Sequence, residues 1–116
     1  MSRFLNINWV KDNLNNIEWS STVDVMLSWD DAVVYVKDRN CRLPSVKELQ
    51  SIVDYDRSNP AVDIDFFGDT KLNEWYWTNK QRVGKPEEAF CVSFVGGCCN
   101  AQDRNGLKYF RMVRDI

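Results

Sequence analysis

The sequence contains no histidine, so it lacks the commonest general base of enzyme active sites. Catalytic arrangements built on a Ser–His or Cys–His pair are therefore excluded. No apolar run approaches the roughly 20 residues that a membrane-spanning helix needs, which predicts no membrane partner. The first nine residues also lack the apolar stretch of about 7–15 residues found in secretory signals, so we expect a cytoplasmic protein.

Neither sign of charge dominates the chain. It has 15 basic and 17 acidic residues and a formal net charge of −2. A basic footprint for nucleic acid is absent, which predicts no nucleic-acid partner. The acidic excess is also too small for a mimic of a polyanion.

The spacing of the four cysteines does not indicate a metal site. Structural zinc sites usually contain two cysteines separated by about 2–4 residues, and Cys41, Cys91, Cys98 and Cys99 do not show this pattern. We predict reduced thiols, no metal and no cofactor. Because neighbouring residues of a strand point to opposite sides, we expect Cys98 and Cys99 to face different environments.

An acidic segment nearly repeats a calcium-binding loop. Residues 63–68, followed by Glu74, approach the pattern D-x-D-x-[DN]-G-x5-E. Phe67 occupies a ligand position, however, and the residues after Glu74 predict a strand where the motif requires a helix. We favour a solvated acidic loop that Phe66 and Phe67 anchor, and the alternative of a calcium site stays open.

What the sequence does contain predicts one folded domain over residues 1–116. Hydrophobic residues make up 44% of the 116 residues and aromatic residues 13%. A chain of this length buries roughly 65% of the surface that its unfolded form exposes.

The clearest local signal of secondary structure lies just after Pro44. A helix can begin after a proline but does not run through one. Ser45 and Glu48 have the spacing of a capping box, which predicts a helix over residues 46–55. Ser28 predicts the start of an earlier helix over residues 29–39, with a left-handed stop at Asn40.

The remaining segments predict strands, turns and one long loop. Residues 4–9 and 17–19 are expected to form a hairpin. Residues 56–73 predict a long surface loop. Strands are predicted at 75–78 and 89–95, and an Asn105-Gly106 hairpin turn is expected to join residues 98–100 to residues 107–114.

Five segments carry a family resemblance: VKDNLNNIEW (10–19), WDDA (29–32), RLPSVKEL (42–49), WYWT (75–78) and FRMVR (110–114). With them the chain resembles the DUF1566 family, also known as the C-terminal domain of the Legionella collagen-like adhesin. The resemblance implies a C-type-lectin-like α+β fold, with two helices packed on a mostly antiparallel twisted sheet and long irregular loops. It also implies a binding module of bacterial surface or secreted proteins, and the adhesin's domain is associated with sulfated glycans.

We predict a binding surface and no catalytic site. Arg42 and Glu48 are expected to serve the helix cap and a polar network, and most tryptophans are expected in the core, except part of the strand over 75–77. The long loop over 56–73 and the polar turns over 79–82 and 100–104 are expected to form the surface that meets the ligand. The candidate binding residues are Trp75, Trp77, Asn79, Gln81, Arg82, Asn100, Gln102, Asp103 and Arg104.

Three functional hypotheses remain open. The first is a non-catalytic module that recognises a protein or a glycan. The second is an accessory protein of a phage or mobile element that binds and inhibits a host protein inside the cell. The third is a cysteine-dependent oxidase related to formylglycine-generating enzymes, which share the broad lectin-like fold.

Overall fold

The computed structural model describes residues 4–6 and 9–116. It contains ten elements in chain order: β1 (Phe4–Asn6), β2 (Val10–Asp12), β3 (Ile17–Thr22), α1 (Trp29–Lys37), α2 (Val46–Ser51), α3 (Ile64–Phe67), β4 (Trp75–Arg82), β5 (Lys85–Ser93), β6 (Cys98–Asp103) and β7 (Arg111–Asp115). The strands form two antiparallel sheets, with strand orders β1-β2-β3-β7 and β4-β5-β6. This confirms the mixed α+β class, but two sheets replace the single predicted sheet. Within the described ranges, no helix combines the length and apolarity required to cross a bilayer.

The predicted caps are present at both long helices. The Ser45 hydroxyl accepts a hydrogen bond from the Glu48 amide at 3.0 Å, and Glu48 Oε1 accepts one from the Ser45 amide at 2.8 Å. Helix α2 ends at Ser51, earlier than predicted, because the chain turns away and Asp54 donates its amide to the Ala61 carbonyl instead. Helix α1 starts after Ser28 as predicted.

Helix α1 ends at Lys37, two residues before the predicted end. Asn40 then adopts the predicted left-handed conformation, with φ at 56°.

The predicted long loop contains a short helix. The Asp63 carboxylate accepts a hydrogen bond from the Asp65 amide at 3.0 Å and caps helix α3. Phe67 at the other end is fully buried. The segment that resembles a calcium loop is therefore helical, and within the described ranges no three carboxylates or thiols converge on a cation position.

Two predicted strand pairings are wrong. The strand predicted over 4–9 is present at Phe4–Asn6, and residues 7–8 lie outside the described ones, but the hairpin partner of β3 is β2 and not β1. The Asn105-Gly106 turn is present, since Gly106 donates its amide to the Asp103 carbonyl at 3.0 Å. However, the chain then crosses to the other sheet, where β7 pairs with β3 rather than with β6. Strand β6 is left at a sheet edge.

The three-stranded sheet is covered by apolar side chains on both faces. On one face Tyr76, Val92 and Phe94 join a cluster with Leu49 of α2 and Trp19 of β3. The opposite face carries a second cluster, whose buried members include Ala32, Val36, Trp77, Ala89 and Cys91. The sheet therefore lies at the centre of the molecule and holds its strands in fixed positions.

Candidate binding surface

The two predicted polar turns are strand segments. Residues 79–82 belong to β4 and residues 100–103 to β6, with β5 between them. In the strand register, Gln81 and Gln102 both pair with Ala89, so the two amides flank one buried residue in a row across the sheet. We call Gln81, Arg82, Gln102, Asp103 and Arg104 the distal rim, because the structure brings these five candidate residues to one end of this sheet.

Among the described residues, no cation pairs with the Asp103 carboxylate of the distal rim. Glu88 and Asp103 lie directly opposite each other on β5 and β6. Arg82 Nη1 forms an ion pair with Glu88 Oε1 at 2.8 Å. Asp103 Oδ1 accepts a hydrogen bond from the Asn105 amide at 2.8 Å, and its side chain is exposed. The rim can therefore offer a carboxylate to a ligand.

Gln102 of β6 and Arg104, which follows β6, are partly occupied by contacts within the protein. Lys108 Nζ donates to Gln102 Oε1 at 2.6 Å and lies 5.3 Å from the centroid of the Trp77 ring. The Arg104 amide donates to the Glu87 carbonyl at 3.0 Å. Arg104 Nε lies 3.7 Å from Asp30 of α1. Arg104 therefore fixes the rim to the first helix and is a positioning residue.

The prediction that Trp77 contacts a ligand is wrong. Its ring is fully buried, and its indole nitrogen donates to the Leu27 carbonyl at 2.9 Å. Trp75 is half-buried at the opposite end of β4, six residues from Gln81 and therefore roughly 20 Å away. Asn79 and Asn100 are exposed beside the rim.

Two clefts lie away from the distal rim. One, of about 300 Å³, is lined by residues that include Trp19, Phe66, Asp69 and Arg111. The other, of about 260 Å³, runs beside α1 and is lined mainly by apolar side chains, with Asn79 at its border. Neither cleft is lined by a distal-rim residue, whereas the candidate residue Asn79 lies at the second one.

Sequence reasoning missed a buried ion pair at the first cleft. Arg111 is 1% exposed and donates to Asp69 Oδ1 at 2.7 Å, to the Ser20 carbonyl and to Thr70 Oγ1. Burial acts to raise the pKa of Asp69, but the charge and hydrogen bonds of Arg111 outweigh it and hold that pKa below its usual value. The two partners lie 42 residues apart, so no local sequence signal indicates the pair.

The predicted structural role of Arg42 and Glu48 agrees with their geometry. The guanidinium donates to both carboxylate oxygens, at 2.7 and 2.8 Å. The hydrogen bond from Arg42 is the main cause that lowers the pKa of Glu48. Since Glu48 also caps α2, one carboxylate joins the helix to the segment before Pro44.

The cysteines do not form a reactive cluster. All four are free thiols. Burial raises the pKa of Cys91 to about 12 and also raises the pKa of Cys41 and Cys99. Nucleophilic cysteines require the opposite shift. Cys98 is exposed while Cys99 packs against the core, as expected for neighbours on one strand.

The sequence profile of the Lcl C-terminal domain matches residues 8–114. The chain belongs to the Lcl C-terminal domain family. The crystal structure of botrocetin is similar to this Lcl domain with a TM-score of 0.64 at 9% identity, covering 100% of this chain and 98% of botrocetin. At that identity the likeness concerns the fold alone, which is C-type-lectin-like. No curated protein matches the Lcl domain in sequence.

Proposed function

We propose that this Lcl domain is a non-catalytic binding module whose ligand, a protein or a glycan, contacts the distal rim. The observation that supports this most is the row across the sheet in which Gln81 and Gln102 flank Ala89. Amide side chains offer both donors and acceptors, and here they are mounted on strands fixed by a packed core. The family and the lectin-like fold agree with a binding role.

The distal rim also presents exposed groups beside this row. Residues 82–87, around the β4–β5 turn, are all exposed. Arg82, Asp103 and the flanking Asn79 and Asn100 add two charges of opposite sign and two further amides. A ligand with mixed polar chemistry can therefore find several partners within one surface.

The raised thiol pKa values support a binding module over a cysteine-dependent oxidase. An oxidase of that class needs a thiolate, and burial disfavours the thiolate at Cys91 and Cys99 by raising the pKa of both.

The experiment compares two matched double variants on a glycan array and a protein array. Gln81→Ala/Arg82→Ala removes one amide and one cation from the distal rim. Gln50→Ala/Lys47→Ala removes the same two groups from the exposed side of α2. We expect the wild-type chain to bind members of one array, the rim variant to lose that signal by about tenfold or more, and the α2 variant to retain it. Equal losses in the two variants would contradict a ligand site at the rim.

A further inference from the structure

Strand β6 leaves one edge of the central sheet open. The sheet order is β4-β5-β6, so β4 and β6 are its two edges. The outer side of β4 is covered, because Trp77 donates its amide to the Tyr109 carbonyl at 3.1 Å. In the part of the chain that the structure describes, no strand pairs with the outer side of β6.

The ladder between β5 and β6 determines which backbone groups point outward. The Arg104 amide donates to the Glu87 carbonyl, so Arg104 faces β5. Hydrogen-bonded positions alternate along an antiparallel strand. Cys99, Ala101 and Asp103 therefore direct their amides and carbonyls away from β5.

Some of these outward groups have partners within the chain. The Ala101 amide donates to Oδ1 of Asn100 at 2.9 Å, the Asp103 carbonyl accepts from Gly106, and the Cys99 carbonyl accepts from the Cys98 thiol at 3.9 Å. The amides of Cys99 and Asp103 and the carbonyl of Ala101 have no hydrogen-bond partner among the described residues. An added strand can therefore accept from these two amides and donate to this carbonyl.

Strand β6 also lacks the usual protection of a sheet edge. Natural edges carry lysine, proline or a bulge that prevents pairing with other chains. The sequence of β6 is CCNAQD, and its six residues pair with β5 without a register shift. Strand β4, by contrast, shows two register shifts against β5. The open edge is therefore regular enough to receive another strand.

We propose that β6 binds an extended segment of a partner protein as an additional antiparallel strand. This inference deepens the proposed function and rests on it, because β6 carries Asn100, Gln102 and Asp103 of the candidate surface. It narrows the ligand from a protein or glycan to an extended polypeptide held mainly through its backbone.

The side chains beside the edge indicate what that segment contains. Cys99, Ala101 and Asp103 point to the same face of the sheet. Cys99 packs against the core, and Ala101 lies opposite the half-buried Phe90, so apolar side chains fit beside both. Asp103 lies opposite Glu88, whose charge is matched by Arg82, so among the described residues the Asp103 carboxylate is the one of this pair without a cation.

A lysine or arginine of the bound segment can therefore lie beside Asp103 and neutralise its carboxylate. Arg82 is paired with Glu88, and Lys108 is bonded to Gln102. The geometry thus favours a segment with two apolar residues and one lysine or arginine at alternate positions, facing Cys99, Ala101 and Asp103 in turn.

A second copy of this chain fits the edge less well. In a symmetric pair centred on Ala101, Asp103 faces Cys99 of the second copy and gains no cation. Charge complementarity therefore favours a basic foreign segment.

The experiment selects peptides from a displayed library of random eight-residue sequences on the immobilised full-length chain. We expect enrichment of sequences with a lysine or arginine and two apolar residues at alternate positions. The selected peptide is then titrated against wild-type protein and against Ala101→Pro. Proline is tolerated at edges where its missing amide faces solvent, so this variant blocks the outer side without breaking the β5 ladder.

We expect Ala101→Pro to weaken peptide binding at least about tenfold, because the proline ring projects from the outer side of β6 and keeps a partner strand from reaching the Ala101 carbonyl. Gln50→Ala/Lys47→Ala serves as the control that retains binding. A measurement that needs no variant is hydrogen exchange: the peptide should slow exchange of the Cys99 and Asp103 amides. Failure to enrich any peptide, unchanged exchange at these amides, or dimerisation of the wild-type chain through β6 would each overturn the inference.

The outcomes also separate this inference from the proposed function. If a glycan binds and Gln81→Ala/Arg82→Ala abolishes that binding while no peptide is selected, the rim proposal stands and the edge proposal falls. If neither the arrays nor the peptide library yields a ligand, both the rim proposal and the edge proposal are wrong.

Discussion

Asp69 forms an ion pair with Arg111 of β7, and Asp24 forms one with Lys71, but the two pairs lie in different environments. Asp69 accepts from buried Arg111 at 2.7 Å and from the Thr22 amide at 2.6 Å. Asp24 pairs with Lys71 at 2.9 Å, and its side chain is 85% exposed. A carboxylate that neutralises a buried cation contributes more to stability than one in water.

We therefore predict that Asp69→Ala lowers the free energy of unfolding by about 2 kcal/mol, which is below the cost of breaking a fully buried pair because the Asp69 side chain is 42% exposed. Asp24→Ala is the matched control and should cost less than about 1 kcal/mol. Urea denaturation of both variants measures the difference. Similar costs would show that Arg111 finds another partner or water after the substitution.

At the scale of elements, Gly97 in the β5–β6 turn and Gly84 in the β4–β5 turn provide a second comparison. Both have positive φ, at 89° and 81°. A Cβ at Gly97 would lie 2.5 Å from Val53 Cγ1, whereas a Cβ at Gly84 meets nothing within 4 Å. The first turn is thus constrained by conformation and packing, and the second by conformation alone.

Gly84→Ala should cost about 1–2 kcal/mol, the usual penalty of a left-handed residue with a side chain. Gly97→Ala should cost about 1–3 kcal/mol more, because Val53 must move. Guanidinium denaturation of the two variants tests this order. A smaller cost at Gly97 than at Gly84 would contradict the packing of α2 and its following residues against this turn.

The elements also show how far a sequence predicts this fold. The caps at Ser28 and Ser45 follow from hydrogen bonds within one turn of chain, and both were predicted correctly. The Asn105-Gly106 turn was also correct as a turn. Its following strand was assigned to the wrong neighbour, because turn chemistry does not determine whether a chain continues in the same sheet.

At the candidate site too, local sequence predicts which segments are polar and exposed, but it does not predict contacts between residues that are distant in sequence. The polarity of residues 79–82 and 100–103 predicted an exposed surface, and the structure brings most of these residues to one end of a sheet. Burial of Trp77 depends on Leu27, which lies 50 residues away in sequence. Nothing in the local pattern separates Trp77 from Trp75.

For the whole molecule, two carboxylates outside the distal rim connect distant segments and determine its response to acid. Glu48 joins α2 to the segment before Pro44, and Asp69 joins the segment after α3 to the four-stranded sheet through Arg111. The pKa of each is lower in the folded protein than its ordinary value, 4.5 for Glu48 and 3.8 for Asp69. Both groups therefore favour the folded state when ionised.

A depressed pKa contributes stability that is present above the unfolded value and is lost as pH falls through the folded value. We accordingly predict that the melting temperature changes little on this account between about pH 7 and pH 5 and falls below about pH 4. Glu48→Gln/Asp69→Asn keeps hydrogen-bonding capacity but removes both charges, so its melting temperature should be lower at pH 7 and should depend less on pH. Glu87→Gln/Asp56→Asn, which removes two exposed carboxylates, is the control and should retain the acid dependence of the wild type. Circular dichroism melts from pH 7 to pH 3 make the comparison, and parallel curves for the two double variants would mean that neither buried contact governs unfolding in acid.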